Sequence, residues 1–170
     1  MRSVRIAILL VSGISASLFA ADAQFEGKTL AEWQTQAQTG SEADRYLAVQ
    51  NLGKAADKTA VPMLCTILLN KDESLNLRYE SAASLALIAS SSAAPSLLTA
   101  LKDSDDNLRL WVVKALAVVG PGNADVSSAL AEVQNSDSNA KVRTRAAAAL
   151  KQIHEREAQI AQEQAAAQQQ

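Results

Sequence analysis

Four arginines set the frame of this chain. Arg45, Arg78, Arg109 and Arg143 recur at nearly even intervals, a period of about 33 residues that belongs to stacked helical repeats. An aspartate lies six residues before three of them: Asp72, Asp103 and Asp137, with Thr39 in that place before Arg45. Six and seven residues after each arginine comes a small or polar residue and then a leucine: Asn51-Leu52, Ser84-Leu85, Ala115-Leu116 and Ala149-Leu150. A unit of this length cannot bury an apolar face alone and must stack on copies of itself. The stretch Leu97 to Gly120 shows the unit plainly: a short apolar helix, a polar turn opened by Asp103, and a longer helix carrying Arg109. Pro62 and Pro95 repeat the register independently. Each suits the first turn of a helix, where a missing N–H costs nothing.

The pattern D-x5-R-x2-A-x2-A-L, repeated with this period, resembles HEAT repeats, in particular the short bacterial variety called PBS-lyase HEAT-like. The resemblance covers residues 26 to 157. It implies an all-α, right-handed solenoid of about four two-helix repeats. It also implies that the turn aspartates and helix arginines form a ladder along the stack, Asp72, Asp103 and Asp137 pairing with Arg78, Arg109 and Arg143. Thr39 departs from the pattern, which suits a first repeat with no earlier neighbour. Such repeats mostly bind other molecules and share no single chemistry, so the likeness speaks to fold before function.

The termini divide the chain into three. Arg2 and Arg5, the apolar run Ile6 to Phe19 and the small residues of Ala21-Asp22-Ala23 read as a secretory signal peptide over residues 1–23. Cleavage is expected before Gln24, with a cut after Ala20 as the near alternative. The run is short for a span of about 20 residues, although a retained anchor is the other reading. The repeat domain follows over 24–157. Within it, Thr29 and Glu32 have the spacing of a capping box, and Trp33 is placed to plug the N-terminal end of the core. Leu47, Ala48, Asn51 and Leu52 are expected near the inner side of the second helix. The tail, 158–170, is almost only Ala, Gln and Glu. It reads as a helical extension frayed into solvent, or else a coiled coil formed with a partner.

Composition and residue inventory narrow the function. Removal of residues 1–23 leaves 14 basic and 17 acidic residues, without the basic excess that nucleic-acid binding needs. No later segment is apolar enough to span a bilayer, so the mature chain is expected in the periplasm or outside the cell, with no stable membrane insertion. The single cysteine, Cys65, lies in an apolar run and reads as core rather than as a reactive thiol. The single histidine, His154, cannot build a multi-histidine metal site. His154-Glu155 is one copy of a dipeptide that deoxyhypusine hydroxylase, a HEAT-repeat oxygenase, uses several times to hold iron, and one copy does not suffice. Gly120-Pro121-Gly122 is a turn and matches no phosphate loop. The bilin-attachment activity in the PBS-lyase name is not carried over, because export puts the chain in the wrong compartment. No metal, no cofactor and no catalysis are expected.

At about 100° per residue, the positions before each arginine, and three, six and seven after it, pack into the stack. Those one, five and eight after it point the other way. They are Tyr46, Gln50 and Gly53; Tyr79, Ala83 and Ala86; Leu110, Lys114 and Ala117; and Thr144, Ala148 and Lys151. In the resembling family the second helices line the concave face. A protein- or peptide-binding groove is therefore expected around Tyr46, Tyr79, Leu110, Trp111 and Lys114, since exposed aromatics anchor partners. The other reading of these rings is that they cover seams between repeats. Function is accordingly expected to be that of an exported scaffold. The alternatives are an accessory or maturation factor that presents a cofactor or substrate to an enzyme, and a structural spacer.

Overall fold

The computed structural model describes residues 24–168. Gln24–Phe25 (β1) and Lys28–Thr29 (β2) form a short antiparallel hairpin. Among the described residues eight α-helices follow in four pairs: α1 (Leu30–Thr39) with α2 (Glu42–Lys54), α3 (Val61–Leu69) with α4 (Leu75–Ile88), α5 (Ala94–Ala100) with α6 (Asp106–Val119), and α7 (Ala124–Ser136) with α8 (Ala140–Ala167). Helix starts are written locally. The side chains of Thr29, Ser41, Ser74, Asp105, Asn123 and Asn139 each accept a hydrogen bond from a first-turn N–H that has no partner within its helix. Thr29 and Glu32 make the reciprocal capping box. Pro62 and Pro95 occupy the first turns of α3 and α5.

Each first helix packs on its own second helix. The second helices α2, α4, α6 and α8 also pack on one another in sequence, whereas the first helices touch each other sparingly. Rows that are tight on one side and splayed on the other curve the stack, with α2, α4, α6 and α8 on the inside. The core runs unbroken between the rows through Leu52, Leu68, Leu85, Leu97, Leu116, Leu130 and Ile153. Burying each such side chain contributes roughly 1.5–3 kcal/mol. Cys65 belongs to it, and burial pushes its thiol pKa up.

The ladder crosses from one repeat to the next. The buried Arg78 donates through Nη2 to Asp103 Oδ2 at 2.5 Å and through Nε to the Leu68 carbonyl at 2.9 Å. Arg109 grips both Asp137 oxygens, Nε to Oδ2 at 2.8 Å and Nη2 to Oδ1 at 2.9 Å, and donates through Nη1 to the Asp103 carbonyl. Expected partners within a repeat are thus shifted by one repeat. A guanidinium in the seam needs acceptors on both sides of it, and only the following turn offers a carboxylate there. Asp72 is not a rung: it is exposed, and Glu73 takes the carboxylate role for Arg45. Arg143, in the last repeat of the described residues, donates to the carbonyls of Asp137 and Ser138.

The two ends are closed differently. At the N-terminus Trp33 is buried, its Nε1–H donating to the Phe25 carbonyl at 2.7 Å, with Lys28 Nζ 4.6 Å from the ring centre. The hairpin is what lets Trp33 close this end. At the other end α8 runs 28 residues. Its buried positions are Val142, Ala146, Ala149 and Ile153. Beyond them Glu157 accepts from the Gly122 N–H at 2.7 Å and Ile160 is half-buried, after which the helix is exposed.

Candidate functional site: the inner face of the second helices

The arginines that tie the seams also orient the inner face. Starting from an arginine in its seam, the residue two positions on lies about 200° around the helix, facing outward. That row reads Leu47, Glu80, Trp111 and Arg145 across α2, α4, α6 and α8. Leu47 is 45% exposed, not inward as the sequence pattern predicts, because it shares this position. The residue eight positions on lies only about 80° around, which turns it back toward the seam in α2 and α6, whereas Lys151 of α8 stays exposed as expected. Gly53 and Ala117 are therefore buried rather than on the ridge. Gly53 abuts Ser84 so closely that an added Cβ would lie 2.8 Å from the Ser84 Cα.

Two depressions lie along the face. The first, about 710 Å³, sits between α2 and α4 and is bordered by Trp111 of α6; Tyr46, Tyr79, Glu42 and Glu80 line it. The second, about 730 Å³, sits between α6 and α8, lined by Leu110, Trp111, Lys114, Lys141, Thr144 and Arg145. Trp111 borders both and is 36% exposed, with Lys114 Nζ 3.9 Å from its ring centre. A cation at that distance holds the indole in place. The five residues singled out from sequence thus divide: Tyr46 and Tyr79 in the first depression, Leu110 and Lys114 in the second, Trp111 in both.

The two tyrosines also reach across seams. Tyr79 donates its hydroxyl to Asp105 Oδ1 at 2.7 Å, while Asp105 also caps α6 by accepting from the Leu108 N–H at 2.7 Å. Burial and the Asp105 carboxylate push the Tyr79 pKa up to about 12. The neighbouring Glu80 carboxylate, with burial, raises that of the more exposed Tyr46. Leu110 is half-buried against the core. Tyr79 and Leu110 therefore stabilise seams as well as line the face, whereas Tyr46 and Trp111 are the open rings.

Charge divides the face. Every charged residue lining the first depression is acidic, Glu42 and Glu80; every one lining the second is basic, Lys114, Lys141 and Arg145. Among the described residues the ion pairs lie elsewhere, in the seams and along α8. Glu42, Glu80, Lys141 and Arg145 border the depressions without an aromatic ring to mark them in the sequence. The signal for two of them stands in the row two positions after each arginine, which runs apolar, acidic, aromatic, basic.

Potential chemical groups stand apart. His154 is exposed on α8 and Cys65 is buried in α3. Among the described residues no group of three His, Cys, Asp or Glu side chains is placed to hold a metal ion, and no helix is long and apolar enough to cross a membrane.

Paired helices, a shared second-helix wall and inter-repeat rungs define an α-solenoid. The family model for HEAT repeats matches residues 30–117 and again 67–151, and the chain belongs to that family. No curated protein sequence matches the chain. Among solved structures, it is similar to computationally designed armadillo repeat proteins made for modular peptide recognition. The TM-score is 0.56 at 19% identity, over 75% of this chain. The chain spans 65% of that protein's length, and at this identity the likeness is one of fold.

Proposed function

We propose that this chain is an exported, non-catalytic HEAT-repeat scaffold that binds a polypeptide on the inner face of α2, α4, α6 and α8. The observation that carries the reading is Trp111: an exposed ring, braced by Lys114, at the junction of two depressions in a continuous wall. Large, pre-oriented aromatics are the residue type on which binding energy concentrates. The fold shared with designed peptide-recognition proteins supports a polypeptide partner. Export rests on the basic, apolar and small-residue pattern of residues 1–23, which lies outside the described residues. The separation of the one thiol from the one imidazole supports a role without catalysis.

Selection of random peptides displayed on phage against the full chain and against Trp111→Glu tests the site. Enrichment on the former and its loss on the latter, with both circular dichroism spectra unchanged, is expected; equal enrichment moves the site off this face. Trp111 is a cleaner probe than Tyr79→Glu or Leu110→Glu, since those residues also hold seams. Export is tested separately by the N-terminal sequence of the protein recovered outside the cytoplasm, expected at Gln24 or Ala21. An intact Met1 on cytoplasmic protein overturns that part.

A further inference from the structure

We infer that the partner is an extended peptide carrying a basic residue and an acidic residue five or six positions apart, the basic one seated at Glu42 and Glu80, the acidic one at Lys141 and Arg145, and an apolar residue between them on Trp111. This rests on the inner-face reading above and specifies what that face recognises.

Both depressions have apolar walls and rings, so either alone fits an aliphatic side chain. Their charged borders differ completely: Glu42 and Glu80 on one, Lys114, Lys141 and Arg145 on the other. Lys114 is engaged with Trp111. Glu42, Lys141 and Arg145 are exposed, and none of the five is in an ion pair among the described residues. The fold holds the two signs apart, since Trp111 stands between Glu80 and Arg145 in the same row. A uniformly charged peptide meets repulsion at one end of this face, and a neutral one leaves both ends unanswered.

Spacing follows from packing. Glu80 on α4 and Arg145 on α8 occupy equivalent positions two helices apart. Neighbouring packed helices lie about 9 Å apart, so the two charges are separated by roughly 18 Å. An extended chain advances about 3.3 Å per residue, which sets the separation at five or six residues. Helical peptides advance only about 1.5 Å per residue and would need twice the sequence.

Trp111 reports binding directly. The chain has two tryptophans; Trp33 is buried under the hairpin, so a change in emission on peptide addition comes from Trp111, and Trp111→Phe is the control that should lose it. The probes are acetylated, amidated twelve-residue peptides of Lys, Glu, Ser and Leu. In one, a Lys pair and a Glu pair stand six residues apart; a second has the same composition with Lys and Glu alternating; the third and fourth carry only Lys or only Glu. At low ionic strength the separated peptide is expected to bind at least tenfold more tightly than the alternating one, with the difference shrinking in about 0.5 M salt. In the variant Lys141→Glu, Arg145→Glu, two exposed positions, the preference should move to the all-Lys peptide. Equal affinity of the separated and alternating peptides, or an unmoved preference in the variant, overturns the charge assignment. If none of the four binds while phage selection still depends on Trp111, the charge assignment fails and the inner-face reading stands. If selection also yields nothing, both fail.

Discussion

The inner rungs of the ladder and its outer ones use the same residue at the same repeat position, yet they differ in what surrounds them. Arg78 and Arg109 are 4% and 8% exposed and each meets an aspartate that is itself buried in the seam. Arg45 is more open, and its partner Glu73 stands one residue beyond the expected aspartate. Arg143 finds only backbone carbonyls among the described residues. The difference teaches that an arginine in this position is not stabilising in itself. At Arg78 and Arg109 the next repeat supplies a buried carboxylate, whereas Arg143 closes its own turn.

Removing a carboxylate separates the two kinds of rung most strongly. Asp137→Ala leaves the Arg109 guanidinium buried without its bidentate partner, and breaking a buried pair on one side costs about 3 kcal/mol or more. Asp103→Ala should cost a similar amount through Arg78. Glu73→Ala, at the half-open first rung, should cost less than about 1 kcal/mol. Urea unfolding followed by circular dichroism reads all three. Equal losses at the three positions would mean that burial does not rank the rungs.

Acid should erase the same contrast. The Arg109 guanidinium and the Asn139 N–H hold the Asp137 carboxyl below its usual range despite burial. At Asp103 burial pushes upward, but Arg78 and the Asp105 N–H outweigh it and the carboxyl again lies low. A carboxyl whose folded value lies below its unfolded one stabilises the fold above the unfolded value, about 4, and that contribution is lost as pH falls through the folded value. The stability gap between the natural chain and Asp137→Ala should therefore be full at neutral pH and narrow steadily below pH about 4. A gap that stays constant down to pH about 2 would show that Asp137 acts through packing, not charge.

The seam between α2 and α4 offers a test in which no charge is involved. Gly53 lets these helices approach, and a methyl group there meets the Ser84 side chain at 2.5 Å and its backbone at 2.8 Å. Gly53→Ala should cost on the order of 1–3 kcal/mol, as overpacking does, even though alanine is the better helix former by about 1 kcal/mol. Gain instead of loss would mean that the seam yields readily, which would weaken the rigid inner face on which the two depressions depend.

The fold was legible because four copies of one pattern agreed on helix, turn and seam, and Thr29 with Glu32, Pro62 and Pro95 marked three of the helix starts. Position by position the sequence was less explicit. A ladder pattern names arginine and aspartate but not the repeat from which each partner comes, so the offset pairing and the substitution of Glu73 for Asp72 emerged only in three dimensions. The hairpin at Gln24–Thr29 was hidden because two-residue strands have no periodicity to read. On the inner face, turning each second helix about its arginine puts Tyr46 on the outward row and Trp111 at its flank, and both are exposed. Leu47, Gly53 and Ala117 depart from that sorting: Leu47 is open, and the other two are buried at a seam. Glu80 and Arg145 stand at a repeat position that the arginines define, but neither carries a ring to single it out in the sequence.

The smallest effect concerns how each repeat hands over to the next. Ala56 and Ala89 adopt left-handed backbone, with φ of 54° and 53°, just beyond α2 and α4. Gly122, one repeat after Ala89, does the same beyond α6 with φ of 80°. The turn is thus one device used three times, and only the third copy has the residue that suits it. An L-residue with a Cβ costs about 1–2 kcal/mol in this conformation, while glycine gives back part of that by its greater freedom when unfolded, roughly 0.5–1 kcal/mol. Ala89→Gly and Ala56→Gly should each stabilise the fold by about 0.5 kcal/mol, and Gly122→Ala should destabilise it by a similar amount. Thermal unfolding of the three variants checks the sign. Agreement at all three would show that the handover between repeats is set by backbone geometry alone. Destabilisation by Ala89→Gly would mean that the greater freedom of glycine in the unfolded chain outweighs the strain relieved in the turn.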